Sequence, residues 1–131
     1  MHIAIVGTGG VGGYFGGRLA QSGQDVTFIA RGAHLNAIKK DGLKIISTKG
    51  DFEINPAIAT ADPSEIGTVD LILVAVKAWS VEEVAEVIRP MVGPNTCILP
   101  LENGVDAPGQ LTAVYGSTRV VGGLCRLISH I

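Results

Sequence analysis

The sequence predicts an α/β domain with a doubly wound parallel sheet and a small β-hairpin inserted after its second helix. Short apolar runs of strand length alternate along the chain with helical stretches, which is typical of strands joined by right-handed crossovers. Hydrophobic residues make up 47% of the chain and aromatic residues only 5%, and 18 of the 131 residues are glycine. An aliphatic, glycine-rich chain of this length indicates one tightly wound sheet with a core of its own.

The first thirty residues predict a strand, a glycine turn, a helix and a second strand in succession. The apolar run at 3–6 is typical of a buried parallel strand. A helical stretch extends from Gly10 to about Ser22 and ends at Gly23, because glycine readily adopts the left-handed conformation at a helix end. A second apolar run at 26–30 predicts the next strand.

The segment that follows predicts a second helix and the inserted hairpin. The helix opens at Arg31 and continues through Lys40 until Asp41-Gly42, and the stretches 43–47 and 52–54 flank the turn Thr48-Lys49-Gly50-Asp51. A further short extended piece and a turn signal come next, at 57–60 and at Asp62-Pro63.

The apolar run at 69–76 predicts the central strand after the crossover. Ser80 followed by Glu83 forms a capping-box pattern at the start of a third helix. The apolar face of that helix has the i, i+3, i+4, i+7 spacing and consists of Val81, Val84, Ala85 and Ile88. The remaining predicted elements are a strand at 96–99, a weak helix at 110–114 and a last strand at 119–127.

The glycine turn Gly7-Thr8-Gly9-Gly10-Val11-Gly12 lies between a strand and a helix, which is the context in which this motif binds dinucleotides. Gly7 permits a sharp turn, Gly9 lets the backbone approach a diphosphate, and Gly12 lets the helix lie close to the sheet. The helix start directs N–H groups and the positive end of its dipole at the phosphates. Small residues continue the face of Gly12 at helical spacing and indicate close packing: Gly13, Gly16, Gly17 and Ala20. The alternative is a glycine-rich turn that binds no ligand.

The residue that closes the second strand predicts which dinucleotide binds. An acid at this place accepts hydrogen bonds from the ribose 2′-hydroxyl of NAD or FAD. The run Phe28-Ile29-Ala30-Arg31 contains no acid, and the guanidinium of Arg31 can hold a 2′-phosphate with two charge-assisted bonds. The sequence therefore favours NADP(H). The alternative is a solvated arginine at a helix start, where the helix dipole disfavours a cation.

Two further polar residues follow strands of the predicted sheet, and ligands of such sheets bind beyond the carboxyl ends of the strands. Lys77 ends the central strand, where it could contact a phosphate of the nucleotide or only reach the surface. Asn103 could donate a hydrogen bond to a ribose or to a bound carbonyl oxygen, although Asn103-Gly104 is also a common turn dipeptide.

Charge and hydropathy exclude several classes of function. Ten basic and twelve acidic side chains give a net charge of −2, which offers no electrostatic support for nucleic-acid binding. No apolar run is long enough to cross a bilayer, and the first strand begins directly after Met1 without the leader of a signal peptide. We therefore expect a cytoplasmic protein with neither a nucleic acid nor a membrane as its partner.

The cysteines and histidines predict no metal site and no nucleophile. Cys97 and Cys125 lie in separate apolar runs, so we expect free thiols that act as core side chains. The histidines are scattered along the chain, at His2, His34 and His130. No serine or cysteine stands near a histidine–acid partner, so nucleophilic catalysis has no support.

Four motifs in order resemble the ketopantoate reductase (2-dehydropantoate 2-reductase) family over the whole chain. They are the glycine-rich run at 7–19, Ala30-Arg31-Gly32, Val76-Lys77-Ala78-Trp79 and Asn103-Gly104. The resemblance implies a Rossmann-type fold and an NADPH-dependent reduction of a small keto acid, 2-dehydropantoate, to pantoate in pantothenate synthesis. It also implies site residues. Gly7 to Gly12 would bind the diphosphate, Arg31 and Lys77 the adenosine phosphate end, and Asn103 both cofactor and substrate, with a backbone contact near Ile128.

Two departures from the family pattern bear on function. Glu102 stands where the family usually has glutamine or histidine, which adds negative charge beside Asn103. Family members continue into a C-terminal helical domain with a catalytic lysine as proton donor, so residues 1–131 are expected to form the NADP(H)-binding domain alone. Such a half would expose apolar surface and favour self-association, in the simplest case a homodimer. A dinucleotide-sensing regulatory domain and a reductase of another keto acid or a polyol phosphate are the alternatives.

Overall fold

The computed structural model describes residues 1–7, 10–45, 50–54, 57–75 and 81–100. The strands are β1 (His2–Val6), β2 (Asp25–Ile29), β3 (Leu43–Ile45), β4 (Phe52–Ile54), β5 (Ala59–Thr60), β6 (Leu71–Val74) and β7 (Cys97–Pro100). The helices are α1 (Gly10–Gln21), α2 (Gly32–Asp41) and α3 (Val81–Val87), and short 3-10 turns cover Pro63–Glu65 and Arg89–Met91.

Five of the strands form one parallel sheet in the order β5-β2-β1-β6-β7. From β1 the chain winds outward through β2 to β5, and it then returns to the other side of β1 for β6 and β7. The strand order therefore reverses between β1 and β6, which confirms the doubly wound parallel sheet. The predicted hairpin is also confirmed, because β3 and β4 pair antiparallel with Lys44 opposite Glu53.

The core lies on both faces of this sheet because successive strand residues point to opposite sides. Ile5 and Phe28 belong to the cluster beneath α1, and Val6 and Ile29 belong to the cluster beneath α3. The apolar face predicted for the third helix is buried at every position whose side chain the structure describes, which are Val84, Ala85 and Ile88. Both faces of the sheet are thus covered, as the near-continuous apolar runs require.

Helix α1 lies unusually close to the sheet because it presents glycines to it. A Cβ at Gly12 would overlap the carbonyl oxygen of Gly7, and a Cβ at Gly16 would lie 2.7 Å from a ring carbon of Phe28. The close approach predicted from the small-residue face is therefore confirmed at these two positions. It brings the first turn of α1 directly onto the end of β1.

Several predicted boundaries change. The extended piece predicted at 57–60 is a two-residue edge strand, with Ala59 and Thr60 in register with Phe28 and Ile29 of β2. The strand predicted to begin at Val69 begins at Leu71, because the Val69 N–H donates to Met91 instead of continuing the ladder.

The turn predicted at Asp62-Pro63 is confirmed as the start of a 3-10 turn. The Asp62 carboxylate accepts hydrogen bonds from the hydroxyl and the backbone N–H of Ser64. These two bonds hold the pKa of Asp62 below its usual range. The predicted weak helix at 110–114 and the predicted last strand at 119–127 lie outside the described residues. None of the helices that the structure describes is both long enough and apolar enough to cross a membrane.

Candidate cofactor site

The candidate site lies at the carboxyl edge of the sheet, where β1, β2, β6 and β7 all end. Parallel strands place their carboxyl ends at one edge, and ligands of such sheets bind there at the point where the strand order reverses. In this chain that point lies between β1 and β6. The described residues that border it are Gly7 after β1, Arg31 after β2 and Ala75 after β6.

Gly7 makes the turn from β1 into the loop before α1. Its φ of 89° lies in the left-handed region, which favours glycine, and its N–H donates to the Ile29 carbonyl at 3.2 Å. The sharp turn predicted at this glycine is confirmed. A Cβ at Gly12 would also lie 3.1 Å from the Cβ of Ala75, so the start of α1 sits over the ends of both β1 and β6.

The start of α1 is suited chemically to an anion. Helix α1 begins at Gly10, just beyond the end of β1, and its first turn contains no acidic residue. The first N–H groups of a helix have no partner within the helix, and the helix dipole is positive at this end. Together they form a favourable environment for a phosphate.

Arg31 is the cationic side chain that the described residues bring to this edge from β2. It precedes α2 as its N-cap residue, with extended backbone at φ −144° and ψ 160°. Its Nη1 donates to Oε1 of Glu83 at 2.8 Å, and the two side chains are 54% and 43% exposed. Arg31 is therefore accessible from solvent but engaged by a carboxylate.

Glu83 reaches this edge from α3, the helix that follows β6. The capping-box pattern assigns Glu83 to the backbone of Ser80, and Ser80 lies outside the described residues. Fifty-two positions separate Glu83 from Arg31, so the local sequence contained no signal for their contact. Only the crossover that returns the chain to β6 brings α3 beside the end of β2.

The other predicted site residues divide into two groups. Gly10 and Val11 form the first turn of α1. The remaining predicted site residues lie outside the described residues: Thr8, Gly9, Lys77, Asn103 and Ile128. Glu102, which precedes Asn103, also lies outside them.

The titratable and metal-binding side chains elsewhere suggest no second centre in the part of the chain that the structure describes. There, no group of three or more His, Cys, Asp or Glu residues is placed to hold a metal ion. His2 contacts the Thr27 hydroxyl at 3.2 Å, and His34 is exposed. Cys97 is a free thiol whose pKa is raised by burial, which favours the neutral, unreactive form.

The comparison with protein families decides the relationship of the chain. The protein-family model described as ketopantoate reductase PanE/ApbA matches residues 3–130 of this chain. The chain belongs to this family. The ketopantoate reductase resemblance seen in the four sequence motifs is thereby confirmed.

A related protein and a solved structure are both similar to most or all of the chain. The chain is 41% identical over 131 residues to Uncharacterized oxidoreductase YkpB of Bacillus subtilis (strain 168), covering 100% of this chain and 43% of that protein. It superimposes with a TM-score of 0.86 on 2-dehydropantoate 2-reductase from Geobacter metallireducens GS-15. The two are 40% identical, and the match covers 92% of this chain and 40% of that one. The chain thus spans less than half the length of these oxidoreductases.

The solved structure of a dehydrogenase with a different name is also similar. The ternary structure of D-mandelate dehydrogenase with NADH and anilino(oxo)acetate matches with a TM-score of 0.80 and 30% identity, covering 92% of this chain and 39% of that one. The fold of this domain therefore also occurs in an enzyme that is named as a D-mandelate dehydrogenase.

Proposed function

We propose that this chain forms the NADPH-binding part of a 2-dehydropantoate 2-reductase that acts in pantothenate synthesis. The observation that carries the cofactor assignment is the exposed guanidinium of Arg31, which follows β2 where an NAD-binding strand would end in an acid. The family assignment and the name of the Geobacter neighbour support the substrate class.

The described residues at the carboxyl edge fit a dinucleotide. Gly7 turns sharply, and the packing of Gly12 holds the start of α1 over the ends of β1 and β6. We assign the diphosphate to the segment from Gly7 to Gly12, including Thr8, Gly9, Gly10 and Val11. Arg31 takes the 2′-phosphate, because a planar guanidinium pairs well with phosphate oxygens.

Residues outside the described part of the chain complete the proposed site. Lys77 contacts the adenosine phosphate end, Ile128 makes a backbone contact with the cofactor, and Asn103 positions cofactor and substrate. NADPH, when bound, supplies a hydride for the C2 carbonyl of a 2-keto acid. The protein must also donate a proton to the forming alkoxide, and we assign that donor to a C-terminal helical domain of the full-length protein.

A reductase of another keto acid is the second candidate function. The similarity to D-mandelate dehydrogenase with NADH and anilino(oxo)acetate favours it, because the match covers 92% of this chain. Rates of reduction of 2-dehydropantoate and of aromatic 2-keto acids by the full-length protein would separate the two candidates.

The cofactor assignment is tested by titrating the purified protein with NADPH and NADH, before and after Arg31→Ala. We expect the substitution to weaken NADPH binding by roughly 10- to 100-fold, the effect of losing about 1.5–3 kcal/mol from hydrogen bonds between charged groups. NADH affinity should change by no more than about twofold, because NADH lacks the 2′-phosphate.

Arg89→Ala is the matched control for this titration. Arg89 is an equally exposed arginine that also donates to a glutamate at 2.8 Å. It lies near the opposite edge of the sheet, where the Met91 carbonyl accepts from the Val69 N–H. Equal affinity of the unaltered protein for NADPH and NADH would refute the 2′-phosphate assignment.

A further inference from the structure

The charge balance around Arg31 includes an acid that comes from a distant part of the chain. Oε1 of Glu83 lies 2.8 Å from Nη1 of Arg31, a direct charge-assisted hydrogen bond. Both side chains are partly exposed at the carboxyl edge, so an anion arriving from solvent meets the pair rather than an isolated guanidinium. The strand β2 itself brings no acid to this edge.

A cofactor phosphate and the Glu83 carboxylate are both anions that accept charge-assisted hydrogen bonds from Arg31. The guanidinium has five N–H donors, and one of them is occupied by Glu83. A 2′-phosphate must either displace the Glu83 carboxylate from Arg31 or bind beside it. When the two anions lie side by side on one guanidinium, their negative charges repel each other. A cofactor with a free 2′-hydroxyl carries no charge at this place and does not meet this competition.

We propose that Glu83 is a specificity-determining residue of the cofactor site, which competes with the 2′-phosphate for Arg31 and thereby narrows the preference for NADPH over NADH. The proposal rests on the proposed function, because it requires that Arg31 binds the 2′-phosphate. In the protein without cofactor, Glu83 holds the guanidinium as its counter-ion. Glu83 acts on the cofactor through the charge of Arg31.

The test is the ratio of the NADH and NADPH dissociation constants after Glu83→Gln, which removes the charge and keeps the shape. We expect NADPH to bind about two- to fivefold more tightly, the range that corresponds to an exposed ion pair. NADH affinity should be unchanged within about 1.5-fold, since no charge competes there. The gain should shrink as the salt concentration rises, because exposed charges are screened.

Glu86→Gln provides the matched control on the same helix. Glu86 is also exposed and also accepts from an arginine, Arg89, at 2.8 Å, so loss of a surface ion pair on α3 is reproduced away from the carboxyl edge. This variant should leave the ratio of the two dissociation constants unchanged. Thermal denaturation of both variants distinguishes an effect on folding from an effect on the cofactor.

A double-mutant cycle separates this proposal from the proposed function. In an Arg31→Ala background, Glu83→Gln should lose most of its effect on NADPH affinity, because the group for which the two anions compete is gone. If Arg31→Ala weakens NADPH selectively but Glu83→Gln leaves the ratio unchanged, or weakens NADPH, the role of Glu83 is wrong and the proposed function stands. If Arg31→Ala has no selective effect on NADPH, both the role of Glu83 and the assignment of Arg31 to the 2′-phosphate are wrong.

Discussion

At the scale of single residues, the hydroxyl of Thr96 joins β7 to two neighbouring parts of the chain. Thr96 is 3% exposed. Its hydroxyl donates to the carbonyl of Val69 at 2.6 Å and accepts from the N–H of Gly93 at 2.8 Å. One hydroxyl therefore links the segment before β6 to the segment before β7.

Replacing this hydroxyl by a methyl group should destabilise the protein. We expect Thr96→Val to lower the free energy of unfolding by about 1–3 kcal/mol, because the Val69 carbonyl loses the buried hydroxyl that donates to it and the partly buried Gly93 N–H loses one acceptor. Urea denaturation measures the change. Thr68→Val, at an exposed threonine of the same region, should stay within about 0.5 kcal/mol. Equal losses for both variants would contradict the role of the Thr96 hydroxyl.

The pair of Arg31 and Glu83 is the other interaction that individual residues decide. In stability terms it is a surface ion pair and contributes about 0–1 kcal/mol. Its importance is its position, since it connects the segment after β2 with the helix that follows β6. The opposite effects expected for Arg31→Ala and Glu83→Gln on NADPH affinity are therefore changes of recognition rather than of folding.

At the scale of elements, helix α1 contacts both the sheet and the inserted hairpin. Gly12 and Gly16 let its inner face approach β1 and β2. On another face, the guanidinium of Arg18 lies 4.2 Å from the ring centroid of Phe52 in β4, a favourable cation–π contact. The hairpin is thus held against α1, although its two described strands, β3 and β4, form a sheet separate from the main one.

Adding a methyl group to the face of α1 that packs on the sheet should destabilise the protein. A Cβ at Gly16 would lie 2.7 Å from Phe28 and 2.8 Å from Ile5, and both of these side chains are fully buried. We expect Gly16→Ala to lower the free energy of unfolding by up to about 2 kcal/mol. Overpacking of about 1–3 kcal/mol outweighs the better helix propensity of alanine, about 1 kcal/mol.

Urea denaturation of Gly16→Ala and of Gln21→Ala tests this packing argument. Gln21 is exposed at the end of the same helix, so its replacement should change the unfolding free energy by less than about 0.5 kcal/mol. A stabilised Gly16→Ala protein would mean that helix propensity, not close packing, governs this face.

At the scale of the whole molecule, the proposed cofactor would connect the two halves of the sheet. The segment after β1, Arg31 after β2 and Ala75 after β6 all border one edge. A ligand that contacts these segments binds the folded protein and not the unfolded chain, in which they are far apart. Binding is therefore linked to the stability of the entire domain.

NADPH should raise the melting temperature of the protein in proportion to the logarithm of its concentration. At 100 times the dissociation constant the expected stabilisation is about 2.7 kcal/mol by mass action. The same concentration of NADH should give a smaller shift, because its proposed contacts lack the 2′-phosphate. A thermal denaturation series with each cofactor measures both effects, and an unchanged melting temperature at millimolar NADPH would contradict the proposed site.

The fold could be predicted well from the sequence because its signals are local. The apolar run before Gly7, the close approach of α1 at Gly12 and Gly16 and the two arms of the hairpin each depend on neighbouring residues, and these three predictions are confirmed. The strand starts near Val69 and at Ala59 were predicted less accurately. In these cases a backbone group bonds to a distant partner, such as the Met91 carbonyl, and no local pattern reports that bond.

The sequence by itself determined the parallel α/β fold, the glycine turn at the end of β1 and the arginine at the end of β2. Only the tertiary structure decided that Arg31 meets Glu83. Local periodicity and turn chemistry depend on residues a few positions apart, whereas this ion pair depends on the return of the chain from β5 to β6. That crossover places α3 beside the end of β2. The local pattern assigned Glu83 to helix capping, but in the folded chain its carboxylate accepts a hydrogen bond from Arg31 at the candidate cofactor site.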